Sequence, residues 1–291
     1  MAEKRIISLS IEGTTLRILT FQKGSVEAWD SVPFNPQFVT MGQVADAPGM
    51  GGVIKSTLEE RGLTSGRVVC ALPGLRTMSR VISLPPVAKK ELADVVAREA
   101  RRVLTVSEED NYLHWQLLPT ETDSPQVYVL AVPREPLHAL VDAIRQAGLR
   151  PYAVDLKPLA LMRAVNRMDA IIANGESNSV ELVIAVDDVP TLIRSVFLGE
   201  GVVSQDYAVG RISDEITRTI NFYNDSNQEN PLSPEVPIYL TGAAASGVSF
   251  ALNVAALIGY PIQPLDPPLP CPEDLPIAEF IVNLGLVLKV L

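Results

Sequence analysis

Apolar and polar residues alternate in three short runs at the start of the chain, Arg5–Ser10, Thr15–Phe21 and Ser25–Val32. A period of two puts successive side chains on opposite faces of a strand. The turns between them, Glu12-Gly13-Thr14 and Lys23-Gly24-Ser25, are short enough to fold the runs into an antiparallel meander. After a Pro/Gly/Met-rich stretch, Pro33–Gly52, helical spacing predicts a helix over Val53–Arg61, ended by Gly62. The wholly apolar strand Arg67–Leu72 follows. The same order restarts near residue 170. Ala170–Ala173, Val180–Val186 and Val189–Phe197 read as strands, with Asp187-Asp188 as the second turn. Ser213–Tyr223 then reads as a helix, Ile238–Thr241 as a strand, and Ser246–Ile258 and Ile277–Leu288 as helices.

This order, met twice without obvious residue identity, predicts an α/β fold of two lobes around a cleft. The boundaries expected are residues 1–168 for the first lobe and 169–291 for the second. Extra material at about residues 74–132 has no counterpart in the second half. It contains strand Thr77–Ser83, helix Lys89–Leu104, strands Tyr112–Leu118 and Gln126–Val132, and precedes a helix at Leu137–Ala147. It reads as a small inserted α/β subdomain. In its helix Leu92, Val95, Val96, Ala100, Val103 and Leu104 form an apolar stripe. Lys89, Lys90, Arg98, Arg101 and Arg102 lie mostly outside the stripe and read as a solvated face.

Composition narrows the functional classes. The chain has 291 residues, is 47% hydrophobic and 20% charged, and so can bury substantial cores. Its net charge of −10 is dispersed, and no Lys/Arg stripe offers a footprint for nucleic acid. Cys70 and Cys271 stand apart from any metal-ligand spacing and read as free thiols. The opening MAEKRIISLS has no secretory pattern, so export is not expected. The most apolar segment, Ile277–Leu291, is interrupted by Glu279, Asn283 and Lys289 and falls short of a bilayer span of about 20 residues. A buried terminal helix is expected there rather than an amphipathic membrane foot. His114 and His138 are the only histidines, and no nucleophile sits in a recognisable elbow, so no catalytic residue is assigned.

The two hairpin turns that open the halves, Ser10-Ile11-Glu12-Gly13-Thr14-Thr15 and Ala173-Asn174-Gly175-Glu176-Ser177-Asn178, each carry one glycine among small polar residues. Such turns let backbone N–H groups approach phosphates, and duplicated lobes opened by them are similar to the actin, sugar-kinase and Hsp70 superfamily. Longer segments are more specific. ALPGLRTMSRVISLPPVAKKEL (71–92), AREARRVLTVSEEDNYLHWQLL (97–118), VLAVPREPLHALVDAIRQAGLRPYAVDLKPLALMRA (129–164), YLTGAAASG (239–247) and the final Gly285-Leu286-Val287-Leu288 together resemble the PilM family of type IV pilus assembly proteins.

The resemblance implies an actin-like fold of two RNase H-like lobes with the insertion in the first. It also implies a place at the cytoplasmic face of the inner membrane, peripheral to it through partners. There the family grips the cytoplasmic N-terminal tail of a PilN-like membrane protein. By analogy the tail occupies the groove between first lobe and insertion, with Arg80, Arg98 and Arg101 expected to line or flank it. Self-association is left open. Candidate contacts for ATP are Gly13, Thr14, Thr15, Gly175, Ser177, Gly242 and Ala243.

Acidic positions of the family are lost. Ser10 and Ala173 stand where each turn begins with aspartate, and Lys157 where a glutamate precedes proline. Magnesium is held through oxygen ligands oriented by carboxylates, which serine and alanine cannot supply, and a protonated lysine cannot act as a base. Lys157 reads as a snorkelling cation or, alternatively, as a direct neutraliser of phosphate. Glu12 and Glu176 read as solvated loop acids. The segment Gly201–Tyr239 holds one clear helix before the polar run Asn224–Pro237, implying a reduced closing subdomain in the second lobe. The expectation is a scaffold with weak or lost nucleotide binding and no held magnesium. The alternative is an active Mg-ATP-dependent ATPase using the displaced acids Glu12 and Glu176.

Overall fold

The computed structural model describes residues 5–63, 65–88, 90–120, 124–199, 205–246 and 248–291. Strands β1 (Ile6–Glu12), β2 (Thr15–Gln22) and β3 (Ser25–Pro33) are followed by the two-residue strands β4 (Val39–Thr40) and β5 (Gln43–Val44). Helix α1 (Ala47–Glu60), β6 (Arg67–Leu72), β7 (Met78–Ser83), α2 (Leu92–Leu104), β8 (Asn111–Leu118) and β9 (Gln126–Pro133) come next. Then follow α3 (Arg134–Gln146), β10 (Pro151–Leu156) and α4 (Lys157–Val165). The second half runs β11 (Ala170–Gly175), β12 (Ser179–Val186), β13 (Val189–Phe197), α5 (Gln205–Ser226), β14 (Ile238–Thr241), α6 (Val248–Ile258) and α7 (Ile277–Leu288).

The duplication is visible in the sheets. The first has order β10-β6-β1-β2-β3 and the second β14-β11-β12-β13. In each, an antiparallel meander is extended on its first strand by a parallel partner, β6 on β1 and β14 on β11. Parallel pairing requires a crossover. Helix α1 lies in the first crossover and α5 in the second.

Helices α4 and α7 pack on each other between the sheets. Their shared core joins Leu19, Val69 and Ala71 of the first sheet to Ile172 and Val183 of the second through Leu161, Phe280, Ile281 and Leu284. Every residue from Phe280 to Val287 is buried, so the apolar C-terminal segment is a core helix. Among the described residues no helix is long and apolar enough to cross a membrane. The outer face of the first sheet is covered by α1 and α3, and that of the second by α5 and α6.

The insertion is a three-stranded sheet, β7-β9-β8, with α2 on one face. Alternation along β9 divides the work: Val127, Val129 and Ala131 face α2, while Tyr128, Leu130 and Val132 join the first-lobe core. The cations Arg98, Arg101 and Arg102 lie on the exposed side of α2, as expected, and Lys89 lies outside the described residues. Helix α1 begins at Ala47 rather than Val53, capped by Asp46, whose Oδ1 accepts the Gly49 N–H at 3.0 Å.

Candidate functional site

The β1–β2 and β11–β12 turns meet. A Cβ added at Gly13, whose φ is +59°, would come 2.7 Å from Ser177 Oγ. Gly242, just after β14, has φ +83°, and a Cβ there would stand 2.3 Å from the Gly175 carbonyl and 2.7 Å from Glu176 Oε1. Only glycine tolerates such closeness at positive φ. Gly13, Gly175, Ser177, Gly242 and Ala243 are therefore brought together. Thr14 is exposed and its carbonyl accepts the Phe34 N–H, while Thr15 opens β2.

Glu12 and Glu176, expected in solvent, are buried, and Lys157 does not snorkel. Each is held inside by an opposite charge, which is what makes burial tolerable. Lys157 Nζ donates to Glu12 Oε2 at 2.9 Å and to the Ile11 carbonyl at 3.3 Å. Arg17 of β2 grips Glu176 with both terminal nitrogens, at 2.8 and 3.0 Å, and also donates to the Glu279 carbonyl at 2.8 Å. Its carboxylate partner Oε1 further accepts the Ala243 N–H at 3.3 Å. Glu181 of β12 accepts the Gly74 N–H at 3.1 Å from across the cleft.

Three buried carboxylates thus face two buried cations. The imbalance registers in their titration. Burial, then the charge of Glu12, pushes Glu176 up to about 7 against the opposing pull of Arg17. Burial likewise raises Glu181, opposed first by Lys157. Burial would lower Lys157, but Glu12 and then Glu181 outweigh it and hold the ammonium above its ordinary value. Arg17 behaves in the same way through Glu176 and Glu12.

Ser10 and Ala173, where the resemblance leads one to expect aspartates, make structural contacts. Ser10 Oγ donates to Asn283 Oδ1 at 2.9 Å, and Asn283 in turn donates to the Ser8 carbonyl at 3.1 Å, tying α7 to the first sheet. Ala173 is buried core in β11, and its neighbour Asn174 accepts from Thr241 Oγ1 at 2.8 Å. Among the described residues no group of three or more His, Cys, Asp and Glu side chains is placed to hold a metal ion. In this arrangement the turns do not fit a magnesium polyphosphate. The amide of Ala243 and the guanidinium of Arg17 are already engaged by Glu176, and a further anion would meet Glu12 and Glu181.

A second feature is a groove of about 270 Å³ between first lobe and insertion. One wall is β8, through His114, Trp115 and Gln116; the other is β10, through Val154, Asp155 and Leu156. Each is the outer strand of its sheet. Leu72, Leu130, Val132, Leu137 and Leu159 give it an apolar lining, and Trp115 is 42% exposed at its rim. Asp155 pairs with Arg163 at 2.7 Å and with Lys289 at 3.2 Å.

The three arginines expected beside this groove do not line it. Arg80 lies in a separate cleft between β7 and β13, with Thr191 and Ile193. Arg98 and Arg101 are on α2, across the insertion's sheet, paired with Glu99 and Glu108. On β8, His114 and Gln116 stand opposite Leu130 and Tyr128 on the groove face, whereas Trp115 and Leu117, opposite Val129 and Val127, share the face that carries α2.

Two meander-based lobes with sandwiched α4 and α7 define a protein of the actin-like ATPase fold. Solved structures agree. The "PilM-PilN type IV pilus biogenesis complex" matches with a TM-score of 0.80 at 24% identity, covering 98% of both chains. Ethanolamine utilization protein EutJ from Carboxydothermus hydrogenoformans matches with a TM-score of 0.57 at 13% identity, over 98% of this chain and 89% of that one. MreB5 of Spiroplasma citri bound to ADP gives 0.55 at 9% identity, over 99% and 96%. No curated protein sequence matches the chain. The sequence profile described as type IV pilus assembly protein PilM matches residues 8–226, and the chain belongs to that family.

Proposed function

We propose that this chain is a scaffold of the inner-membrane assembly platform of a type IV pilus or related secretion system. It binds the cytoplasmic N-terminal tail of a PilN-like membrane protein and acts by contact rather than by turnover. The observation that carries this reading is the groove flanked by the outer strands β8 and β10. An outer strand presents unpaired N–H and C=O groups, so an extended tail can add to it by backbone hydrogen bonds while its apolar side chains enter the lining between. Family membership and the PilM–PilN match make a PilN-like tail the natural occupant. Location at the cytoplasmic face of the inner membrane follows from that partner.

On this reading nucleotide binding is weak or lost, which is supported by Glu12 and Glu176 each being paired with a cation of the chain itself. The direct test is calorimetry of the full chain with the N-terminal tail peptide of a PilN-like protein from the same genome. Micromolar binding, with or without Mg·ATP, is the expected result. No heat in either condition would defeat the proposal.

A further inference from the structure

The mutual position of the two turns suggests more than the loss of a ligand. Beside the α4–α7 core that joins the two sheets, the turns themselves are tied by charge, and the chain supplies the carboxylate. We propose that the Arg17–Glu176 pair is an intramolecular latch: Glu176 is the built-in anion of the three-turn cradle, and the cleft stays shut without any nucleotide.

Four observations converge. Glu176 belongs to the second lobe, and its guanidinium partner to the first. Both side chains are only 3% exposed, so the contact is interior to the closed cleft. The carboxylate also receives the Ala243 N–H beside Gly242, a backbone donor from a third segment. Gly242 is needed for the internal pair itself, since a Cβ there would strike the Glu176 carboxylate. Bidentate Arg–carboxylate pairs are geometrically selective, which suits a clasp that must register two lobes. Gly74–Glu181 adds a further tie between the lobes beside it, and Lys157–Glu12 braces the first-lobe side.

The latch rests on the reading that the protein works by contact, yet it can fail separately. Melting and calorimetry on the full chain are performed with Mg·ATP and with inorganic pyrophosphate, in wild type and in Glu176→Ala. Wild type is expected to show neither heat nor a rise in melting temperature. Glu176→Ala removes the carboxylate that faces Arg17 and the turn, and is expected to bind pyrophosphate at least about tenfold more tightly. Should that variant not fold, Glu176→Gln keeps the shape, leaves Arg17 unneutralised and is expected to gain at least about threefold. Small-angle scattering on the same samples is expected to be unchanged by Mg·ATP in wild type and to expand in Arg17→Ala. Micromolar Mg·ATP binding by wild type, no gain in either Glu176 variant, or an unexpanded Arg17→Ala would each overturn the latch. Failure of the tail peptide to bind while wild type stays silent to nucleotide would remove the contact reading and leave the latch standing.

Discussion

Gly285 of α7 crosses α4 against the backbone of Ala160: a Cβ added at Gly285 would stand 2.0 Å from the Ala160 carbonyl oxygen. The two helices fill the layer between the sheets, so they cannot separate to make room without disturbing both lobes. Gly285→Ala is expected to destabilise the protein by about 2–3 kcal/mol, the upper range for overpacking, despite alanine's better helix propensity. Urea denaturation checks this; a stabilised variant would mean the helices are free to shift.

Stability should depend on pH through Glu176. Its folded pKa, about 7, lies above the ordinary carboxylate value of 4.5, so the folded state favours the protonated form. Its contribution is complete below about pH 4.5 and is lost as pH rises through 7. At about 1.4 kcal/mol per pKa unit, the loss is on the order of 3–4 kcal/mol at most. Denaturation midpoints measured from pH 5 to 8 should fall in wild type and fall much less in Glu176→Gln.

Lys157 and Glu12 should be strongly coupled. Lys157→Met leaves the buried Glu12 without its 2.9 Å partner, and loss of one member of a buried pair costs about 3–5 kcal/mol. Adding Glu12→Leu is expected to recover most of that. A double-mutant cycle showing simple additivity would contradict the pairing.

The groove makes a positional prediction about the partner. Leu137→Asp and Leu159→Asp, both part-buried in its lining, are expected to weaken the tail peptide by about tenfold or more, in line with apolar anchors at an interface centre. Arg98→Glu and Arg101→Glu, on the far side of the insertion's sheet, are expected to leave affinity within about twofold. The reverse pattern in calorimetry would move the site to α2.

Much of the architecture was legible because its signals are local. The alternation in β1 to β3 and β11 to β13 gave strands at nearly their observed bounds, and the apolar stripe of α2 is the face that packs on its sheet. The start of α1 was not legible. Pro48, Gly49, Gly51 and Gly52 look like loop residues, yet Pro48 occupies the first turn, where its missing N–H costs nothing. Gly49 and Gly51 are there because side chains would strike Phe38 and the α3 backbone. Strand β10 also went unread, as Pro151 and Arg150 masked its apolar end.

The site was harder for a different reason. Lys157 and Glu12 are 145 residues apart, and Arg17 and Glu176 are 159 apart. A lone glutamate in a turn gives no hint of a partner at that distance, so solvent was the natural assignment. Gly13, Gly175 and Gly242 could be picked out because glycine at a turn has a local meaning; what fills the space they create does not.

The position of α7 has a bearing on synthesis. It is the last of the described elements to leave the ribosome, yet Phe280, Ile281 and Leu284 are what cover the inward faces of both sheets. Until they emerge, Leu19, Val69 and Ile172 lack their covering layer, and such surface is what holdase chaperones bind. Neither half is a finished folding unit before the other has been translated. On a nascent chain the inner face of the first sheet therefore stays bare until a helix encoded more than two hundred residues downstream of the first strand has emerged.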